Sequence, residues 1–198
     1  DNTNETECLL VTGPNARNIL KPLVVGHNLS NPWLSTSFYG SVAGQPCALI
    51  RISFAGELGW EIHAAPNLMT AICDALSEVG VAPFGMYALN SMRIEKGYRA
   101  WKVDLSTDYS LIEGGLDRFI KFDKPQDFPG KAALLAEKQQ GRKKGFVTLV
   151  LDAGNMDAPY MAPIWYAGEI VGEVTSCAMG YRTNKCIALG MVLSLIHI

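Results

Sequence analysis

An excess of charge of either sign is missing from this chain: 17 Lys and Arg stand against 19 Asp and Glu, a formal net charge of −2. That balance provides no electrostatic attraction for nucleic acid or an anionic membrane surface. The one basic cluster, Arg142-Lys143-Lys144, lies between Gly141 and Gly145 and reads as a solvated linker. No apolar run reaches the ~20 residues needed to span a bilayer. The five cysteines, Cys8, Cys47, Cys73, Cys177 and Cys186, contain no C-x-x-C pair. An odd, scattered set reads as reduced core thiols of an intracellular protein. His27, His63 and His197 are far apart along the chain and far from any paired cysteine, so no metal site is expected. No G-x-G-x-x-G fingerprint follows an N-terminal strand, which excludes a dinucleotide-binding module of that kind from these 198 residues. No signal peptide, internal repeat or low-complexity tract is visible. The chain has no initiator Met and runs straight into a strand-like segment at Cys8, so it is not expected to begin at a natural start.

What is present is a globular composition. Hydrophobic residues make up 48% and charged residues 18%, and 198 residues suffice for one large domain or two small ones. The most informative stretch is Phe54-Ala55-Gly56-Glu57-Leu58-Gly59-Trp60-Glu61. Upstream, Ile50, Ile52 and Phe54 alternate on one strand face; downstream, Trp60 and Ile62 share a face while Glu61 and His63 share the other. The pattern predicts two strands joined by a glycine-bounded turn, presenting an aromatic ring at Phe54 and a carboxylate at Glu61. A flat heterocycle suits that arrangement, because the ring offers a stacking or edge contact and the carboxylate accepts two N–H bonds.

Along the rest of the chain, strands are expected at 7–12, 36–42, 47–54, 60–64 and 119–123. Helices are expected at 15–20, from an Asn67 cap to about Gly80 with Leu68, Ile72, Ala75, Leu76 and Val79 facing a core, at 87–96, and at 130–140. Residues 141–145 are the best boundary. Beyond them come short strands at 146–151, 164–166, 169–176 and 186–192, with a hairpin signal at Ala167-Gly168. The expected organisation is therefore α+β, with a first domain over 1–140 and a small, incomplete β-barrel over 141–198.

Residues 54–63, Phe-Ala-Gly-Glu-Leu-Gly-Trp-Glu-Ile-His, resemble the signature of the aminomethyltransferase (glycine-cleavage T-protein) family. The wording is closest to the folate-binding C-terminal part of sarcosine and dimethylglycine dehydrogenases. Three further blocks, at 87–101, 127–134 and 164–172, follow in the family's order, and from first to last the four span most of the chain. The resemblance implies that 1–140 is the later portion of a folate-binding domain and that 141–198 is a truncated C-terminal barrel. The tail 193–198 departs from the family pattern and is expected to be a fragment artefact.

The same resemblance implies site residues. Glu61 falls on the acid that binds the pterin ring of tetrahydrofolate. Phe54 falls where the family usually has Tyr, so it either contacts the pterin without a hydroxyl bond or fills a core face. Arg93, on one short helix with Glu95, could pair with Glu61 or Glu57, hold the folate region in shape, or form a structural ion pair at the helix surface. Arg99 and Trp101 either line the cavity and the folate tail or pack between subdomains, and Tyr181 and Arg182 are possible rim residues. Glu57 reads as a turn-stabilising acid and His63 as a strand histidine. T-proteins carry an Arg where this chain has Leu89, which favours the dehydrogenase subgroup. The family's catalytic acid lies upstream of every matched block; no residue here is assigned to it, Asp104 and Asp108 included.

The activity implied is transfer of a one-carbon unit. A flavin (FAD) domain, in cis or trans, oxidises an N-methyl amine to an iminium, and 5,10-methylenetetrahydrofolate forms in the folate domain. No membrane or nucleic-acid partner is implied. The location would be cytoplasmic, or the mitochondrial matrix in a eukaryote. Two alternatives stay open: a T-protein-like aminomethyltransferase or folate-dependent demethylase, and a non-catalytic folate-binding protein supporting iron–sulfur or tRNA maturation. The latter relatives carry a Lys-Gly-Cys-Tyr-type motif, and this chain has no Cys at 96–99.

Overall fold

A computed structural model describes residues 1–154 and 156–194, so the expectations for 195–198, His197 among them, lie outside the described residues. The chain is mixed α+β and divides into two compact units, the first Asp1–Leu89 and the second beginning at Asn90.

The first unit contains β1 (Glu7–Thr12), α1 (Ala16–Leu20), β2 (Val24–Val25), β3 (Thr36–Ser37), β4 (Ser41–Val42), β5 (Gln45–Pro46), β6 (Ala48–Ile50), β7 (Gly59–Ala64) and α2 (Pro66–Glu78). Its main sheet is antiparallel throughout, in the order β1-β7-β6-β3, and a smaller sheet runs β2-β4-β5. The alternation in β7 decides the packing. Trp60, Ile62 and Ala64 are buried in one cluster with Val11, Leu20, Leu49, Ile72 and Leu76, whereas Glu61 and His63 lie on the opposite face. Burying a side chain of the size of Trp60 or Ile62 contributes about 1.5–3 kcal/mol.

Three expectations for this unit need correction. The strand expected over 47–54 forms only at Ala48–Ile50, in its first half. The Ile52 N–H turns back to the Ile50 carbonyl at 3.0 Å, and buried Ser53 meets Thr12 hydroxyl to hydroxyl at 2.8 Å, so the chain has left the ladder before Phe54. Two separate two-residue strands, β3 and β4, replace the single strand expected over 36–42. Helix α2 begins two residues earlier than expected: Ala65, not Asn67, is its N-cap and Pro66 occupies the first turn, where a missing N–H costs nothing. Met69, Ile72 and Leu76 are its buried residues, and Val79 is 39% exposed rather than facing the core.

Helix α3 (Met86–Glu95) contains the boundary between the units. The second unit continues with α4 (Lys131–Gln140), β8 (Lys144–Leu151), β9 (Pro163–Tyr166), β10 (Glu169–Gly180) and β11 (Lys185–Leu193). These strands form one antiparallel sheet in the order β8-β11-β10-β9, the barrel-like part of the chain. The β9–β10 hairpin turns at Ala167 and Gly168, both with positive φ (51° and 87°), the geometry that matches strand twist in a two-residue loop. The strand expected at 119–123 is absent. A single 3-10 turn, Asp117–Phe119, stands there, closed by the Ile120 N–H on the Asp117 carbonyl at 3.0 Å. Helix α4 has no buried residue, so its apolar positions do not anchor a core.

Gly59 tests the turn that leads into β7. A Cβ there would stand 2.9 Å from the Val11 carbonyl oxygen and 2.9 Å from Ser53 Cβ. Gly59→Ala should therefore lower unfolding free energy by about 1–3 kcal/mol in urea titration, the cost of overpacking; unchanged stability would show that this approach is looser than described.

Candidate functional site

The antiparallel register of β1 with β7 places Cys8 opposite His63 and Leu10 opposite Glu61. Since β7 sends Trp60 and Ile62 to the core, the opposite face carries a thiol, an imidazole and a carboxylate together. The His63 Nε2–H donates to Glu61 Oε2 at 3.0 Å, and Cys8 Sγ stands 3.7 Å from the same nitrogen. The Glu61 side chain is 29% exposed, and among the described residues no hydrogen bond reaches its Oε1. Burial, and then the Glu61 charge, push the Cys8 thiol up to about 11. Cys8, expected as a core thiol, is exposed instead, because it stands on the strand face away from the core; its grouping with His63 was missed because the two lie 55 residues apart.

Phe54 belongs to this unit but not to a strand. It opens the turn ahead of Gly59, where the Gly56 N–H donates to the Ser53 carbonyl at 3.3 Å. The expected pair of rigid strands presenting ring and acid is thus one strand and one turn. A cleft of about 660 Å³ runs beside the edge strand β1, lined by Leu10, Val11, Ile19, Leu76, Phe84 and Leu89 among others. Its volume and mainly apolar lining are those of a small-molecule site. Glu61 is not among its lining residues; Leu10, the cross-strand partner of Glu61, is.

The arginines of the second unit have different work. Arg93 is 2% exposed and forms an ion pair with buried Asp104. Its remaining N–H groups donate to Asn90 Oδ1 (2.9 and 2.7 Å), the Tyr98 carbonyl (2.9 Å) and Ser176 Oγ (2.8 Å). Asp104 also accepts from the Ala100 N–H (2.8 Å), Thr175 Oγ1 (2.5 Å) and Ser176 Oγ (2.7 Å). The acid that Arg93 meets is therefore Asp104, not Glu61 or Glu57, and the pair is buried rather than at the helix surface. A guanidinium held at 2% exposure needs a partner that is equally desolvated, and Asp104 at 0% supplies it. Glu95 instead accepts from the Arg182 and Thr183 N–H groups (3.1 and 2.8 Å), tying down the turn between β10 and β11.

Arg99 donates to the Gly114 and Gly97 carbonyls at 2.8 and 3.0 Å and stacks 4.3 Å from the Phe146 ring centroid. Burial, and next the charge of Arg118, pull its guanidinium below the usual value. Packing is the reading that these contacts favour. Trp101 is 64% exposed and Tyr181 83% exposed. A cavity of about 600 Å³ in this unit is lined by Arg93, Lys102, Tyr160 and Ser176 among others, and neither Arg99 nor Trp101 contributes to it.

The comparisons with known proteins agree on one family. Residues 1–124 match the family described as "GCVT N-terminal domain", and residues 144–194 match "Glycine cleavage T-protein C-terminal barrel domain". The chain is 38% identical over 197 residues to the mitochondrial dimethylglycine dehydrogenase of Homo sapiens, covering 96% of this chain and 22% of that protein. It is 33% identical over 200 residues to the mitochondrial sarcosine dehydrogenase of Mus musculus, covering 97% and 21%. Over 152 residues it is 38% identical to an aminomethyltransferase of Thermosynechococcus vestitus, covering 77% and 41%. The chain thus spans about a fifth of the length of the dehydrogenases it matches. The crystal structure of glycine cleavage system aminomethyltransferase T from Bartonella henselae has the same fold, with a TM-score of 0.83 at 22% identity over 98% of this chain and 53% of that one. No helix among the described residues is long and apolar enough to cross a membrane.

Two measurements check this geometry. Asp104→Ala should cost about 3–5 kcal/mol of stability by chemical denaturation, because it strands the Arg93 charge; an unchanged midpoint would show that the two are not paired. At pH 8, Glu61→Gln should speed iodoacetamide alkylation of Cys8 by less than about tenfold, since the carboxylate is the smaller of the two causes raising the thiol. An unchanged rate would place the carboxylate away from Cys8.

Proposed function

Because the chain belongs to the glycine-cleavage T-protein family, we propose that it is the tetrahydrofolate-binding portion of a one-carbon-transfer enzyme of the N-methyl amine (sarcosine or dimethylglycine) dehydrogenase kind. The observation that carries the reading is the Glu61 carboxylate, held on β7 with Oε1 unbonded among the described residues, one strand away from the apolar cleft edged by Leu10 and Leu89. The residues fit a reduced pterin. Its aminopyrimidinone edge presents adjacent N–H donors, and a carboxylate offers only acceptors. Two charge-assisted bonds would contribute about 1.5–3 kcal/mol each before desolvation.

Tetrahydrofolate, when bound, supplies the amine nitrogens that take up the one-carbon unit. The chain's own part is to position and shield. Glu61 orients the pterin edge, His63 holds that carboxylate in place through Oε2, and the apolar walls of the cleft keep out water that would release formaldehyde. Phe54 sits at the turn before β7, a position from which a ring edge can border the pterin. Arg93 serves this reading only indirectly, through the order it imposes on its own unit. Leu89 in the cleft lining supports the dehydrogenase kind, since an apolar residue stands where T-proteins carry an arginine. The sequence has no G-x-G-x-x-G fingerprint after an N-terminal strand to hold FAD, and no step is assigned to it; an amine-oxidising flavin domain and an amine-derived iminium are the partners this reading requires. The similarity to mitochondrial dehydrogenases supports the mitochondrial matrix as the location in a eukaryote.

Glu61→Ala should weaken tetrahydrofolate binding by at least about tenfold, the equivalent of one such bond, in calorimetric titration. Unchanged affinity with intact folding by circular dichroism would remove the assignment.

A further inference from the structure

The outer face of the β1–β7 pair carries three chemically different metal donors whose separation the pterin reading does not explain. Cys8 Sγ, Glu61 and His63 Nε2 each offer one ligand atom, and these atoms lie within 4.8 Å of one another. Cys8 Sγ stands 3.7 Å from His63 Nε2, and Glu61 Oε2 stands 3.0 Å from that nitrogen. Bond lengths of about 2.3 Å to sulfur and 2.0–2.2 Å to nitrogen and oxygen, at tetrahedral angles, put sulfur and nitrogen about 3.6 Å apart and nitrogen and oxygen about 3.4 Å apart. The sulfur–nitrogen edge is already at that spacing, and the nitrogen–oxygen edge needs only a few tenths of an ångström, within reach of a carboxylate rotation. The donors stand on β1 and β7, which pair without interruption from Glu7 and Ala64 to Thr12 and Gly59, so two of the three side chains are fixed by register and the third by being two residues along the same strand.

We propose that Cys8, Glu61 and His63 form a three-ligand site for a borderline-soft divalent cation of the zinc class, with the fourth position open to water or a ligand atom. A mixed sulfur, nitrogen and oxygen set favours Zn²⁺ over Mg²⁺ or Ca²⁺, which take oxygen alone. The His63 ring would present the Nε2 lone pair to the ion and keep its proton on Nδ1. The site goes beyond the folate reading and does not rest on it. It does share Glu61 with that reading, so a bound cation and a pterin exclude each other at this carboxylate.

A second group, Asp157, Cys177 and Cys186, has a comparable spread of donor atoms. Its sulfurs are already engaged: the Ala158 N–H donates to Cys177 Sγ at 3.2 Å, and Cys186 donates to the Met156 carbonyl at 3.4 Å. That group serves as the internal control.

The test is titration of the full chain with ZnCl2 by calorimetry, alongside Co²⁺ absorption, for wild type, Cys8→Ser, His63→Ala and Cys177→Ser, each checked for folding by far-UV circular dichroism. The expected result is a tight Zn²⁺ site in wild type and in Cys177→Ser, weakened more than roughly tenfold in Cys8→Ser and in His63→Ala. A thiolate-to-Co²⁺ charge-transfer band should appear in wild type and Cys177→Ser and be missing from Cys8→Ser. Absence of Zn²⁺ binding in folded wild type overturns the proposal. So does binding that survives Cys8→Ser and His63→Ala, or that is lost in Cys177→Ser alone. Because tetrahydrofolate affinity is measured separately without added metal, failure here leaves the folate reading standing, and failure there leaves this one.

Discussion

The pairing of β7 with β1 is the constraint on which the first unit depends. Side chains alternate strictly between the two faces of a strand, so the register that sets Val11 against Trp60 and Leu9 against Ile62 also fixes the outward direction of Glu61, His63 and Cys8. A slip by one residue would bury a carboxylate and an imidazole in a cluster of Leu20, Leu49 and Ile72 and turn Trp60 toward water. Two guanidinium groups reinforce the choice, with Arg17 and Arg51 lying 5.7 and 5.5 Å from the centroid of the Trp60 ring. The chemistry of the outer face is therefore a by-product of core packing. No loop has to be held in an unusual shape to present it.

Where local pattern and tertiary packing agree, the sequence was legible. The two-residue alternation of β7, the apolar stripe of α2 around Ile72 and Leu76, and the Ala167-Gly168 hairpin each follow from short-range rules, and the four ordered blocks of family wording identified the fold. The last two strands were seen in part: β10 runs on to Gly180, four residues beyond the expected end, because β11 pairs with it across a bulge between Val174 and Ser176. Such an extension is a property of the partner strand, invisible in the strand's own composition.

What failed did so for non-local reasons. Phe54 continues an alternating run and so looks like a strand residue, yet Ser53 is drawn out of the ladder by the hydroxyl of Thr12, 41 residues away. Arg93 shows the same limit at the candidate site. Its helix suggested a carboxylate near the turn at 57–61, but burial required an equally desolvated acid, and Asp104 met that requirement together with Ser176 from β10. The grouping of Cys8 with His63 was hidden because separation along the chain says nothing of separation across a sheet. The outward placement of Glu61 and His63 was legible, since it follows from the two-residue alternation of β7.

Asp104 and Arg93 join three stretches that are distant in sequence: the end of α3, the loop through Ala100, and β10 at Thr175 and Ser176. Each stretch supplies part of the solvation that two buried ions have lost to the interior. Loosening any one leaves a charge facing a medium that cannot screen it, so partial fraying at this point is dearer than it would be among hydrocarbon side chains. The ion pair acts as a latch. Through it the order of the barrel-like sheet extends to a loop that has little regular structure of its own.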